Sequence, residues 1–353
     1  MIHAEPGPGG VHPERLRSLV AEWIARVGLD LRDRVVLTEA ATGHFALTPV
    51  IAAQAGADRV LAVAEDSRWG SAREACDAVG AARRALGAPD RIDCLDRLDP
   101  DTLAVADLVT NLGAVRPLDA ARIASLREGS VVAAMCEAWE IREGDIDQGA
   151  CARRGVRVAA VNEDHPLVDV FEHNGLLAVK MLQELQIEVH GTRICVAGRG
   201  KFAARIAPVL ARLGADVRRA EALEGEAALQ AVEGADALVV ADYDRTDLLL
   251  GEGGGLSIGA LQKRAPHVAV VQFAGWIRPG ELRAAGLRVF PEEEIGPRRM
   301  GRTMAYLGPA PLVGLHSAGM KAAEMLLGGD GPIGLAQIVV GGGDAARAAE
   351  VSR

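Results

Sequence analysis

Aromatic side chains are scarce in this chain of 353 residues: Phe, Trp and Tyr together make up 3% of it, while hydrophobic residues make up 49%. A core with so few rings has to be built from Ala, Val, Leu and Gly. That is the composition of α/β proteins whose parallel strands are buried on both faces. Cysteine is also sparse. Cys76, Cys94, Cys136, Cys151 and Cys195 are scattered, odd in number and never spaced C-x-x-C. The pattern argues against a disulfide framework or a zinc site and reads as reduced, small hydrophobic residues. There is no block rich in Lys or Arg, and the net charge is −9, so the electrostatic footprint of a nucleic-acid binder is missing. No apolar run reaches the length of a membrane span. The opening MIHAEPGPGGVHPERL has no apolar stretch of the signal-peptide kind. The expectation is a soluble, cytoplasmic protein whose partner is a small molecule, not nucleic acid and not a membrane.

What the sequence does contain is concentrated in TRICVAGRGKFAARIAPVLARLGADVRRAE, residues 192–221. Ile194 to Ala197 is apolar and long enough for a buried strand. Gly198-Arg199-Gly200-Lys201-Phe202-Ala203 follows at once as G-x-G-x-x-A. Phe202 to Leu213 has helical spacing, and Asp216 to Ala220 reads as a second strand closed by Glu221. Each residue type suits a dinucleotide. Gly198 permits a tight strand-to-helix turn, Gly200 lets a pyrophosphate approach the backbone, and Ala203 lets the helix pack close to the strand. The helix start offers free N–H groups to the phosphates. Glu221 stands where a carboxylate accepts hydrogen bonds from the adenosine ribose. It favours NAD over NADP. Arg218 and Arg219 could reverse that choice, although strand alternation turns only one of them to the site. Ala241 and Gln272, at the ends of two later strands, complete the candidate cofactor residues. Pro208 falls inside the helix and is expected to kink it.

The rest of the chain reads as further α/β units. Residues 1–12 are Gly/Pro-rich and suggest a loose arm, and Pro13 to Val27 a helix. From Arg34, VVLT, EAATGHFALTP, PVIAAQAG and VLAVAED read as strand, turn, helix and strand, the last ending in Glu65 and Asp66. Only Gly43 stands where a nucleotide turn wants several glycines. A methyltransferase-type cofactor site is one reading of this unit and a structural, substrate-holding unit the other. Strands are expected near Ala106–Thr110, Ser130–Met135, Ala237–Ala241, Val268–Gln272 and Leu287–Phe290, with an edge strand at Val156–Val161. A helix is expected over 162–190, another from Leu312 to Leu327, and a polar tail after Gly341–Gly343. In open α/β sheets ligands collect at the carboxyl ends of strands, so Asn111, Gly113, Glu137 and Trp139 are substrate-binding candidates. His173 reads as a packing residue at the inter-domain hinge, His165 as a cleft residue or a turn residue beside Pro166, and His44 equally as a pocket or a surface residue.

Several stretches together resemble the D-2-hydroxyacid dehydrogenase superfamily, of the formate/glycerate dehydrogenase kind. They are GDIDQGACARRGVRVAAVNE, VDVFEHNGLLAVKML, the cofactor segment above, LRVFPEEEIGP and LVGLHSAGMKAAEML, spread over residues 100–327. S-adenosylhomocysteine hydrolase is similar in architecture at a greater distance. The resemblance implies an α/β chain of two Rossmann-like domains with parallel sheets and a cleft between them, joined by long inter-domain helices. Residues 1–188 with 313–353 would form the substrate domain and 189–312 the dinucleotide domain. It also implies a homodimer. His316 falls on the family's acid/base histidine and Glu293 on the glutamate that orients it and raises its pKa, a chemically sensible pair. The family's arginine position holds Ala274-Gly275, leaving Arg278, three residues on, as substitute polariser. Without that fork, and with Glu137 in the substrate loop, a simple 2-hydroxy acid fits poorly. The expected activity is an NAD(P)-dependent hydride transfer to or from a small polar substrate. The alternatives are a hydrolase-like enzyme with tightly held NAD, or a non-catalytic dinucleotide-binding protein.

Overall fold

The computed structural model describes residues 8–341. The expected arm lies outside the described residues as far as residue 7, and so does the expected polar tail after residue 341. In chain order the elements are α1 (Pro13–Val27), β1 (Val35–Glu39), α2 (Leu47–Gln54), β2 (Arg59–Val63), α3 (Ala72–Leu86), β3 (Ile92–Leu95), α4 (Pro100–Val105), β4 (Leu108–Thr110), α5 (Ala120–Ser125), β5 (Val131–Ala133), α6 (Gln148–Arg154) and β6 (Arg157–Val161). Then come α7 (Glu172–Glu184), β7 (Arg193–Ala197), α8 (Lys201–Arg212), β8 (Asp216–Ala220), α9 (Gly225–Ala231), β9 (Ala237–Ala241), β10 (Leu248–Leu250), α10 (Ile258–Arg264), β11 (Ala269–Ala274), β12 (Trp276–Ile277), α11 (Pro279–Ala284) and β13 (Val289–Phe290). The described chain closes with α12 (Pro309–Leu326) and β14 (Ala336–Val340). No helix among the described residues is long and apolar enough to cross a membrane.

The chain divides into two compact units, residues 1–169 with 308–353 and residues 170–307. Helix α7, which the sequence reading assigns to the first domain, groups with the second unit. The single helix expected over 162–190 is not formed. Only α7 is helical within it. Asn162 and His165 side chains accept from the N–H groups of Asp164 and Leu167, which ties the segment into turns. Pro166 and a left-handed Asp169 (φ 46°) finish the interruption before Glu172.

In the first unit seven strands form one sheet in the order β14-β6-β5-β4-β1-β2-β3. Every pairing is parallel except that of β14 with β6. The expected edge at Val156–Val161 is therefore covered. The apolar AQIVV of β14 supplies the missing ladder partner, which an exposed edge strand requires. Strand order reverses between β1 and β4, the point where doubly wound sheets bind ligands. The loops start their helices with side-chain caps: Ser71 and Glu74 form a capping box on α3, and Asp99 and Asp119 cap α4 and α5. Helix α12 is buried from Pro311 through Gly314 and again from His316 through Glu324, with the buried Lys321 and Glu324 ion-paired at 2.9 Å.

In the second unit five parallel strands run β13-β11-β9-β7-β8. Here the order reverses between β7 and β9. The short pair β10 and β12 stands apart from that sheet. Both units are thus α/β with parallel-dominated sheets. Pro208 does not break α8, which runs unbroken through it. All five cysteines are free thiols.

Candidate functional site

The glycine turn of the second unit lies at its sheet's switch point. Gly198 takes φ 141°, and a Cβ there would collide with the Ala241 carbonyl at the end of β9. Strand β9 thus approaches too closely for any other residue. Gly200 (φ 83°) occupies the N-cap of α8 and has no side chain to shield the first-turn N–H groups. Phe202 and Ala203 fix the helix start. The Phe202 ring is buried against Phe171, Tyr243 and Phe273, with centroids 5.9, 5.5 and 5.7 Å away. Of the two arginines on β8, it is Arg219 that reaches the turn, donating from Nη2 to the Gly198 carbonyl at 3.1 Å. Arg218 donates instead to Glu233. Arg199 is exposed beside them, and the Lys201 ammonium lies over the Phe171 ring. Glu221 is exposed just past β8. A helix N-terminus, two flanking cations and a nearby carboxylate together suit a phosphate joined to a hydroxylated sugar. The buried Gln272 amide donates from Nε2 to the carbonyls of Gly275 and Ile295 at 2.7 and 3.0 Å, while its Oε1 has no hydrogen-bond partner.

One acid at this point escaped the sequence reading. Asp242 follows β9 directly and is buried, with both carboxylate oxygens lacking a hydrogen-bond partner of proper geometry. Burial pushes its pKa up, with Asp244 adding to the effect. Arg245, and Arg199 through both its charge and its backbone N–H, oppose the shift. Asp244 closes the rim near Gly200 and is 3.9 Å from Arg298. The signal was present as an acid immediately after the apolar ALVVA run.

The three expected catalytic residues fall in both units. His316 is on α12 in the first unit, buried, with Nδ1 2.8 Å from Thr48 Oγ1 and the Phe45 ring 5.8 Å from its own. Burial pushes its pKa down to about 4. The expectation was a carboxylate that raises it. Glu293 lies in the second unit, where it is ion-paired with Arg302. Arg278, also in the second unit, caps α11 and stacks over Trp276 at 5.5 Å. Its backbone N–H donates to Leu250.

In the first unit the substrate-binding candidates separate into two groups. Glu137 is fully buried. It accepts from the Glu163 N–H at 3.1 Å and from the Trp139 indole, so these two residues lock the loop after β5 and are not poised for a ligand. Asn111 and Gly113 stand at the switch point beside a residue the sequence reading had not singled out. That residue is Glu39, the last of β1, which is 8% exposed and whose pKa burial pushes up to about 7. A Cβ on Gly113 would collide with the Glu39 carboxylate. His44, His165 and His173 are half-buried, and His165 spans its turn to the Ile333 carbonyl at 3.2 Å.

No protein-family model and no curated protein matches the chain. Solved structures do. A dipicolinate synthase chain from Bacillus halodurans is similar with a TM-score of 0.52 at 13% identity, over 84% of this chain and 99% of that one. The NAD-dependent formate dehydrogenase from Staphylococcus aureus, solved with NAD, gives 0.46 at 13% identity over 81% and 100%. A putative D-isomer specific 2-hydroxyacid dehydrogenase from Polaromonas gives 0.44 at 16% identity over 79% and 99%. At these identities the likeness is one of fold alone.

Proposed function

We propose that residues 170–307 hold a nicotinamide dinucleotide at the turn from Gly198 to Lys201, and that the protein is an NAD(P)-linked oxidoreductase acting on a small polar carbinol or carbonyl compound. The observation that supports this reading is the turn itself. Two glycines in left-handed conformations stand at a topological switch point, beneath a bare helix N-terminus and beside Arg219. When bound, the nicotinamide supplies or accepts the hydride. The chain's own residues do the rest. Gly198 and Gly200 admit the pyrophosphate, and the first-turn N–H groups of α8 with Arg219 neutralise it. Glu221 takes the ribose hydroxyls and favours NAD, while Arg219 at the same turn leaves room for NADP. Asp242 works against an anion while ionised, and its raised pKa eases that conflict.

His316 is the proposed acid/base, with Thr48 in place of Glu293 as its orienter. At neutral pH burial keeps the imidazole uncharged. In the tautomer whose Nδ1–H donates to Thr48 Oγ1, Nε2 is the nitrogen that accepts a proton, which suits oxidation of a carbinol. Arg278 is given no role.

The test starts with the protein as isolated: denaturation, identification of any released nucleotide by mass spectrometry, then fluorescence titration of the stripped protein with NADH and NADPH. Reversible NADH binding is expected, and His316→Asn should remove turnover without changing that affinity. NAD retained through purification would redirect the reading to an enzyme that recycles its cofactor within each turnover. If neither nucleotide binds, the glycine turn is structural and the proposal fails.

A further inference from the structure

The first unit has a switch point of its own, between β1 and β4, and the nicotinamide reading makes no use of it. Its two strands run in step, with Leu37 opposite Val109. One residue further on, Thr110 Oγ1 donates to Thr38 Oγ1 at 2.7 Å on one face of the sheet. Side chains alternate along a strand, so the next pair, Glu39 and Asn111, stand side by side on the other face. Both are at least nine-tenths buried, with 8% and 3% of their surface exposed.

Neither is satisfied. The Asn111 backbone N–H donates to Ala133, but its buried Oδ1 has no partner. The Glu39 carboxyl has no hydrogen bond or ion pair among the described residues. Of the described cations Arg116 alone acts on it through its charge, without forming an ion pair with it; the ion pair of that guanidinium is with Asp145, at 3.9 Å. Beyond the carboxyl lies Gly113, which is exposed (φ 35°). Any side chain there would occupy the space of the Glu39 oxygens. The backbone has been brought right up to this acid, at an exposed glycine.

We propose that the first unit binds the ammonium group of a small primary amine between the Glu39 carboxylate and the Asn111 carboxamide, where β1 and β4 part. A buried acid without a cation and a buried amide oxygen without a donor are two acceptors awaiting one group that is both charged and rich in N–H. An ammonium supplies both. A phosphate or carboxylate would meet like charge at Glu39, and among residues 40–43 only Gly43 is a glycine, so a pyrophosphate has no turn to enter. Burial raises the pKa of this acid to about 7, so near neutrality it is divided between its two forms, and an arriving cation draws it to the ionised one. The site lies wholly within the first unit and needs no dinucleotide.

The probe is n-propylamine, with propionate and propionamide as controls, followed by NMR on the full-length protein. Saturable shifts are expected at the Asn111 side-chain amide and the Gly113 N–H with the amine, and with neither control. Glu39→Gln and Asn111→Leu should each weaken the amine by about tenfold or more, as loss of a charge-assisted hydrogen bond does. Arg219→Ala, in the other unit, should leave amine binding unchanged while weakening NADH. No saturable shift in the wild type, or a Glu39→Gln variant that binds as well as wild type, overturns the proposal. NADH titration of the same samples tells that failure apart from failure of the nicotinamide reading.

Discussion

Asp242 and Arg219 face the same turn with opposite charge, and the balance between them sets how an anion is received. Asp242 is buried, neither of its oxygens has a well-formed hydrogen bond, and its pKa is raised, chiefly by burial. Below that pKa the group is neutral and costs a pyrophosphate little. Above it, a buried carboxylate repels the ligand across a poorly screened gap. NADH affinity of the wild type should therefore fall as pH rises through the Asp242 pKa. Asp242→Asn should flatten the curve and bind more tightly at the alkaline end, by a factor of about ten for each pKa unit by which the bound phosphate raises the acid. Isothermal titration across the pH range reads this directly, and parallel curves for the two proteins would remove Asp242 from the site. The glycines were legible because their residue type alone states the backbone they need. Asp242 was not, because its meaning comes from β9 lying beside β7, a neighbour 45 residues away in sequence (242 − 197).

Elements whose signal is local were readable, and those that depend on a distant partner were not. Pro13–Val27, Asp216–Ala220 and Ala237–Ala241 form with the boundaries their periodicity indicates. Helix α8 persists through Pro208 because that residue is exposed and the opposite face, with Phe202, Ile206 and Leu210, is buried. Packing outweighs the roughly 3 kcal/mol that proline costs in a helix interior. Strand β14 was missed because AQIVV becomes a strand only by pairing with β6, and the run 162–190 was over-read because its turns are made by side-chain hydrogen bonds. The strand–turn–helix unit itself is sharply testable. Gly198→Ala places a methyl against the Ala241 carbonyl and forces a non-glycine residue to φ 141°. A loss of several kcal/mol, about 2–4, is expected in denaturant unfolding, together with loss of NADH binding. A variant as stable as wild type would mean that β9 yields at this point and that the close approach is not what demands glycine.

On the scale of the folded molecule, two buried groups of the first unit act against each other as pH changes. Glu39 holds its proton up to about pH 7 in the native chain but releases it near 4.5 when unfolded. The native state thus binds more protons across that window, and stability from this group falls as pH rises from 4.5 to about 7. His316 does the reverse. Unfolded it takes a proton near 6.5, whereas native it resists until about 4. The unfolded state binds more protons there, so stability from this group is lost as pH falls from 6.5 to about 4. Each shift corresponds to at most about 3–4 kcal/mol. Over the shared interval, from 4.5 to 6.5, the two slopes cancel, and the wild type should show a nearly level contribution from this pair. Glu39→Gln removes one side of the balance. Its unfolding free energy should climb from about pH 4.5 to about 7 relative to wild type, and the variant should be the more stable protein at about pH 8. Urea titrations of both proteins at several pH values measure the difference. A constant gap between the two profiles would mean that Glu39 is hydrated and ionised in the native state, and the same result would weaken the case that it waits, uncharged, for a cation.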